Sequence, residues 1–161
     1  MAAVDYFLKI DGIDGESQDS KHKNEIDVKS WSWGESQTGT SAQGGGMGAG
    51  KVSMQDFHFT MEVNKATPKL MLACASGQHI PKAVLTVRKA GTDQQEFLIY
   101  TYTDILVSSY QTGGSAGDVI PTDQISLNYS KMEVEYKEQK ADGTLAGPIK
   151  AGWDLKLNKK V

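Results

Sequence analysis

The chain has 161 residues and a mass of 17.5 kDa, the size of one domain spanning residues 1–161, because chains divide only above roughly 250 to 300 residues. Hydrophobic residues make up 39% of it, and 17 glycines raise the apolar share to about half, too high for a disordered chain. With 17 Lys and Arg against 20 Asp and Glu, a net charge of -3 and a pI near 5.6, it lacks the basic footprint of a nucleic-acid binder.

No stretch approaches the ~20 apolar residues of a membrane-spanning helix, so no membrane insertion is expected. The opening Met1 to Tyr6 carries Asp5 where a signal peptide has its basic and apolar regions. Synthesis as a soluble cytoplasmic protein follows, and any export bypasses the general secretory route. Cys74 is the single cysteine and cannot form an internal disulfide, which agrees with a reducing compartment.

Alternation of apolar and polar residues at a spacing of two predicts strands with one buried face. Val4 to Ile10 is the first and Glu25 to Trp33 the second. In Val52 to Val63, Phe57, Phe59, Met61 and Val63 share one face against His58, Thr60 and Glu62 on the other. A short helix over Thr67 to Gly77 interrupts the rhythm: Thr67 is placed to cap it, Pro68 suits its first position, and Gly77 supplies the left-handed stop. Leu70, Met71 and Cys74 would share the face turned to the strands, making Cys74 a small buried apolar residue. Val84 to Lys89, Glu96 to Val107, Ile125 to Tyr136 and Ile149 to Leu157 complete seven strands, the last with Trp153, Leu155 and Leu157 on one side.

Two of these strands slip phase. Ile26 and Val28 are even-numbered while Trp31 and Trp33 are odd; Ile125, Leu127 and Tyr129 are odd while Met132, Val134 and Tyr136 are even. Bulges near Lys29 and Ser130 account for both slips and favour a sheet that curls toward closure. The expected fold is mainly β: a small β-barrel of two packed antiparallel sheets, one short flanking α-helix and a long Gly-rich loop. That loop, Thr38 to Gly50, has almost nothing to bury and should be mobile in an isolated monomer. Thr112 to Asp118 is a second, shorter Gly-rich connection.

Catalytic patterns fail one by one. Gly45 to Lys51 matches the spacing of a phosphate-binding loop, yet Val52 stands where the magnesium-binding hydroxyl belongs and a strand follows instead of a helix. His22, His58 and His79 are scattered with no second cysteine, so no metal site is expected. No GxSxG occurs, and the acid pairs Asp11 with Asp14 and Glu133 with Glu135 read as solvated carboxylates. No enzyme and no cofactor emerge. Trp31 and Trp33 flank Ser32 and can stack sugars, although a core or subunit contact is the favoured role for rings of that area.

The order and spacing of several strings carry a family resemblance: Glu16-Ser17 before His22, Glu25-Ile26-Asp27-Val28, Trp31-Ser32-Trp33-Gly34, Gly50-Lys51-Val52, Thr67-Pro68 with Leu70 to Cys74, Arg88 to Gly91, and Leu106 to Ser109. From the first strand to Trp153 the chain resembles Hcp, the haemolysin-coregulated tube protein of bacterial type VI secretion. The resemblance implies a homohexameric ring that stacks into a hollow tube, is driven out by sheath proteins, is tipped by a VgrG-type spike and carries secreted effectors in its bore. It would be cytoplasmic when assembled and then secreted, outside the cell or into a target cell, without a signal peptide. Gln43, Gly44, Gly45, Gly46, Met47 and Gly48 are assigned to ring stacking, and Gly113, Gly114 and Ser115 to the bore. Relatives of this type with enzyme activity resemble this core plus a C-terminal domain, for which no room is expected after Val161. The rival reading is a monomeric β-barrel that binds carbohydrate through Trp31 and Trp33.

Overall fold

The computed structural model describes residues 4–39, 49–90 and 93–161. Among these the elements are β1 (Val4–Ile10), β2 (Ile26–Asp27), β3 (Ser30–Ser32), β4 (Glu35–Gly39), β5 (Ala49–Met54), β6 (Phe57–Glu62), α1 (Thr67–Ser76), β7 (His79–Lys89), β8 (Glu96–Gly113), β9 (Thr122–Asn128), β10 (Lys131–Tyr136), β11 (Ile149–Asp154) and β12 (Lys159–Lys160).

Every ladder is antiparallel, and β8 organises them. Its 18 residues pair with β7 along one edge; along the other, the first half pairs with β10 and the second half with β9. One path therefore runs β12–β11–β10–β8–β7–β1–β2, and a branch runs from β8 through β9 and β6 to β3. The free ends of path and branch meet in the segment between β2 and β3. There Val28 N–H donates to Tyr6 O of β1 at 3.1 Å, and the next residue, Lys29, donates its N–H to Thr60 O of β6 at 2.8 Å. Two packed antiparallel sheets are thus drawn around one core by two adjacent residues, without a continuous ladder at the seam.

The core is what period-2 patterning leads one to expect. Phe57, Phe59 and Met61 of β6 are buried while His58 and Glu62 face out, and Leu8, Ile26, Leu85, Tyr102 and Ile125 meet them from the other strands. Tyr102 is fully buried and its hydroxyl finds no partner, so burial drives its pKa far above the ordinary tyrosine value. Removing an unpaired buried hydroxyl leaves no orphan behind. Tyr102→Phe is therefore expected to hold or slightly raise stability; a urea midpoint falling by the equivalent of ~1 kcal/mol would show that the hydroxyl contributes after all.

Three expected strands are divided and a fourth is cut short. Glu25 to Trp33 splits because the chain changes partner, from β1 to β6, at Val28 and Lys29; the phase slip marks a hand-over between sheets, not a bulge. Ile125 to Tyr136 breaks at Tyr129 and Ser130, opposite Asp104 of β8, whose φ of 59° is unusual for a non-glycine. Register is kept across this kink, with Lys131 opposite Thr103 and Asn128 opposite Leu106, so both strands turn over together. A true register shift in this region lies between Val107 and Ser109.

Val52 to Val63 breaks at Gln55 and Asp56, where the chain leaves the β4–β5 hairpin for the core sheet, and Ile149 to Leu157 stops at Asp154. Leu157 then lies in a turn, 62% exposed, whereas Leu155 packs on the core and Trp153 is half-buried, so Leu157 does not join their side. Other strands run longer than expected: β7 starts at His79, and β8 takes in Thr112 and Gly113 of the shorter Gly-rich loop.

The helix ends as read, with Gly77 left-handed at φ 67° and its N–H returned to Ala73 O. Its start differs. Ala66 is the capping residue and offers no side-chain bond, while Pro68 falls in the first turn. Thr67 Oγ1 instead accepts from Asn64 N–H at 3.1 Å and donates to Asp123 Oδ2 at 2.6 Å, tying the helix to β9. Leu70 and Ala73 are the buried pair, Cys74 is half-buried, and Met71 is exposed because its position lies about 100° around the helix from Leu70.

Candidate assembly surfaces

The β4–β5 hairpin pairs only with itself. Its base is closed by Gln55 N–H to Gly34 O at 2.9 Å, and its described residues are exposed or half-buried, with none in the core. Gly50 is needed there because a Cβ would come within 2.7 Å of Thr38 O across the hairpin. Isolated two-stranded ribbons are marginal in water, so this arm calls for support from outside its own sheet. Under its base lies an apolar groove of about 540 Å³ floored by Trp33, Met54, Met132, Val134 and Trp153. The expected stacking residues Gln43, Gly44, Gly45, Gly46, Met47 and Gly48, between the two strands, lie outside the described residues.

Gly113 closes β8 opposite Thr122, and Gly114 passes close to Pro121, where a Cβ would meet the proline ring at 3.4 Å. Ser115 donates its hydroxyl to Asp118 Oδ2 at 2.9 Å and accepts the Asp118 N–H on its carbonyl at 3.0 Å. The whole turn is exposed and leads into Val119, 97% exposed, and Ile120. The three residues expected in the bore thus follow one another at the exposed end of β8.

Trp31 is packed against Tyr6, Phe57 and Tyr100, with ring centroids 6.2, 6.4 and 5.3 Å away. Trp33 hydrogen-bonds through its indole N–H to the Tyr129 hydroxyl, and burial raises the pKa of that phenol to about 12. The pair therefore does not form an open platform: Trp31 is engaged by core aromatics, and only Trp33 lines the groove.

The histidines part company. His22 is buried, with Nδ1 2.9 Å from Glu25 and Nε2 2.6 Å from Glu96, and its ring stacks on Phe7 at 4.4 Å. His58 pairs with Ser126 Oγ at 2.7 Å on an exposed sheet face, and His79 lies 3.4 Å from Asp104. Beside His22 sits a group that periodicity did not reveal. Arg88, 3% exposed, donates to both Asp19 oxygens at 3.0 and 2.7 Å and to Asp5 at 3.1 Å, with its guanidinium over the Phe7 ring. The guanidinium holds the Asp19 carboxyl well below the ordinary carboxylate range. These contacts pin the 15–25 segment to β1, β7 and the start of β8, so a loop becomes a rigid part of the outer surface.

The fold is thus mainly β, with a self-paired arm, an exposed glycine-rich connection after β8 and a charge network that fixes the 15–25 segment. The family described as "Type VI secretion system effector, Hcp" matches residues 7–136. Protein hcp1 of Pseudomonas aeruginosa is 52% identical over 158 residues, covering 97% of this chain and 98% of that one. The crystal structure of Hcp1 from Salmonella typhimurium aligns at 43% identity and a TM-score of 0.83 over 99% of this chain and all of that one. A second solved structure, described as a type six secretion system protein, aligns at 36% identity and a TM-score of 0.93, again over 99% of this chain and 100% of its own. The chain belongs to the Hcp family of type VI secretion proteins.

Proposed function

We propose that this chain is a non-catalytic building unit of the type VI inner tube, acting as a single domain over residues 1–161: six copies close into a ring, rings stack into a hollow tube, and the tube leaves the cell on sheath contraction with effectors in its bore. The observation that carries this reading is the β4–β5 arm, which has no core of its own and stands over an apolar groove. Surface area agrees with it. A compact monomer of this mass exposes about 7,900 Å², and two ring contacts of ~800 Å² per partner would cover about a fifth of that.

Within this reading Gln43 to Gly48 serve ring stacking, Gly113 to Ser115 face the bore, and the remaining partners are a VgrG-type spike, the sheath and the cargo. No helix among the described residues is long and apolar enough to cross a membrane. Light scattering on the purified protein is expected to give a mass near six times 17.5 kDa, with annuli in negative-stain images. A lone subunit at millimolar concentration that binds oligosaccharide with quenching of Trp33 fluorescence would replace this reading with the carbohydrate-binding one.

A further inference from the structure

A ring of identical copies closes only if each subunit offers two different patches that fit one another, placed on opposite flanks. The topology supplies such flanks. Around the core the order is β8, β7, β1, the β2–β3 seam, β6 and β9, so the seam lies across the core from β8. From β8, strands β10, β11 and β12 extend away on the other side. The outermost strand of one flank is thus β12, and the outermost feature of the other is the seam.

The two flanks differ in charge. At the seam a groove of about 380 Å³ is lined by Glu16, Asp27 and Glu62, with Lys29 the single cation, and by the apolar Val63 and Ile120. Val63 and Ile120 are 36% and 43% exposed. Asp27 is exposed and receives no side-chain hydrogen bond among the described residues; loss of water in the groove and the carboxylates of Asp19 and Asp5 push its pKa up. It is a carboxylate short of a cation. On the far flank, Lys159 and Lys160 of β12 are exposed and in no ion pair among the described residues; Val161, 54% exposed, follows them, and Ile149, 70% exposed, stands at the other end of the neighbouring strand β11. The outer edge of β11 is also open: β12 covers only Trp153 and Asp154, leaving Ile149 to Ala151 without a neighbouring strand among the described residues. An uncovered edge next to an exposed isoleucine invites a second chain.

We propose that these flanks are the two halves of the ring contact, the Lys159–Lys160 edge of one copy docking in the Glu16–Asp27–Glu62 groove of the next, with Ile149 and Val161 against Val63 and Ile120. The occupant of each patch is a second copy of this chain. The inference rests on the ring reading and goes further in assigning the surfaces that make it. Charge sets which flank meets which, and the apolar residues supply the burial. Because the contact is heterologous, two like flanks repel, which favours closure over head-to-head pairs.

Charge reversal tests it. Asp27→Lys with Glu62→Lys, and separately Lys159→Glu with Lys160→Glu, are each expected to raise the concentration for half-assembly by on the order of 100-fold or more while the melting temperature stays near wild type. Mixing the two variants is expected to restore rings, since every contact in an alternating ring again joins opposite charges. Light scattering and negative-stain images read both results. Rings from each variant alone at wild-type concentration, or a mixture that stays monomeric, would overturn the assignment of flanks. Wild-type protein that forms no rings would instead overturn the ring reading itself, and this contact with it.

Discussion

Replacing Arg88 by alanine is expected to lower the unfolding free energy by about 3–5 kcal/mol, the cost of leaving buried charges without their partner. The guanidinium is 3% exposed and makes three bonds to two carboxylates, which raise its pKa further above its already high ordinary value. Asp19, at 19% side-chain exposure, loses both bonds from Arg88 and keeps only the Lys21 N–H; Asp5, at 37%, is partly rescued by water and contributes less. At roughly 2–4 °C per kcal/mol for a chain of this size, the melting temperature should fall by about 6–20 °C.

The same network sets an acid limit. Arg88 depresses the pKa of Asp19 in the folded protein, so the folded state favours the ionised carboxylate more than the unfolded chain does. Its contribution is complete above the ordinary carboxylate pKa of about 4 and is lost as pH falls through the lower folded value. Wild-type stability should therefore drop with acid below about pH 4, and the Arg88→Ala protein should show a shallower drop. Lysine at 88 cannot reproduce a fork that reaches two carboxylates and should recover only part of the loss. An Arg88→Ala protein within ~1 kcal/mol of wild type would mean that water replaces the guanidinium more easily than its burial implies.

Why this network escaped sequence reading is a matter of periodicity. In β7 the residues from Leu85 to Arg88 are all buried, because one side faces the core and the other is covered by the 15–25 segment. Alternation assumes one solvated face, so an arginine in such a strand reads as an outward residue. What did show is the stretch where one side is wet: β1 matches its expected bounds, and β6 keeps Phe57, Phe59 and Met61 inward. Phase slips were visible near Lys29 and Ser130, but slips do not say whether a strand bulges, kinks or changes partner. Only the partner residues, Tyr6 and Thr60 in one case and Thr103 in the other, decide between these.

The proposed assembly surfaces were legible to different degrees. The Gly-rich stretch Thr112 to Asp118 marked a connection by its chemistry alone, and a turn lies within it at 116 and 117, although Thr112 and Gly113 still belong to β8. The acidic groove was not, since Glu16, Asp27 and Glu62 belong to separate segments that come together only when the seam forms between β1 and β6. Gly15 shows the same dependence on tertiary structure. Nothing in the pattern around it singles it out, yet a Cβ there would sit 2.5 Å from Glu25 O and 2.7 Å from Ile26 Cα, so the 15–25 loop can close on itself only without a side chain. Backbone closeness of this kind has no signature in composition.

Phe57→Ala should be the most damaging core truncation, with a loss of about 3–5 kcal/mol, because the ring is fully buried and anchors an aromatic set that holds both sheets. Its centroid lies 4.9 Å from Tyr102 of β8, 5.9 Å from Phe59 and 6.4 Å from Trp31 of β3, and Phe57 pairs with Leu127 of β9. A cavity there has walls from three strands of different partners, so collapse onto it would need the seam and the β8 branch to move together, and the hole should stay largely unfilled. Trp31 would lose one of its packing partners, and its fluorescence should report the change. His58→Ala, one residue on and facing solvent, should cost under about 1 kcal/mol because it forfeits only the Ser126 bond. The ring assembly proposed above should follow stability in this pair, kept by His58→Ala and lost by Phe57→Ala at temperatures where the fold has begun to melt. Equal thermal midpoints for the two variants would show that the aromatic set is not what joins the sheets.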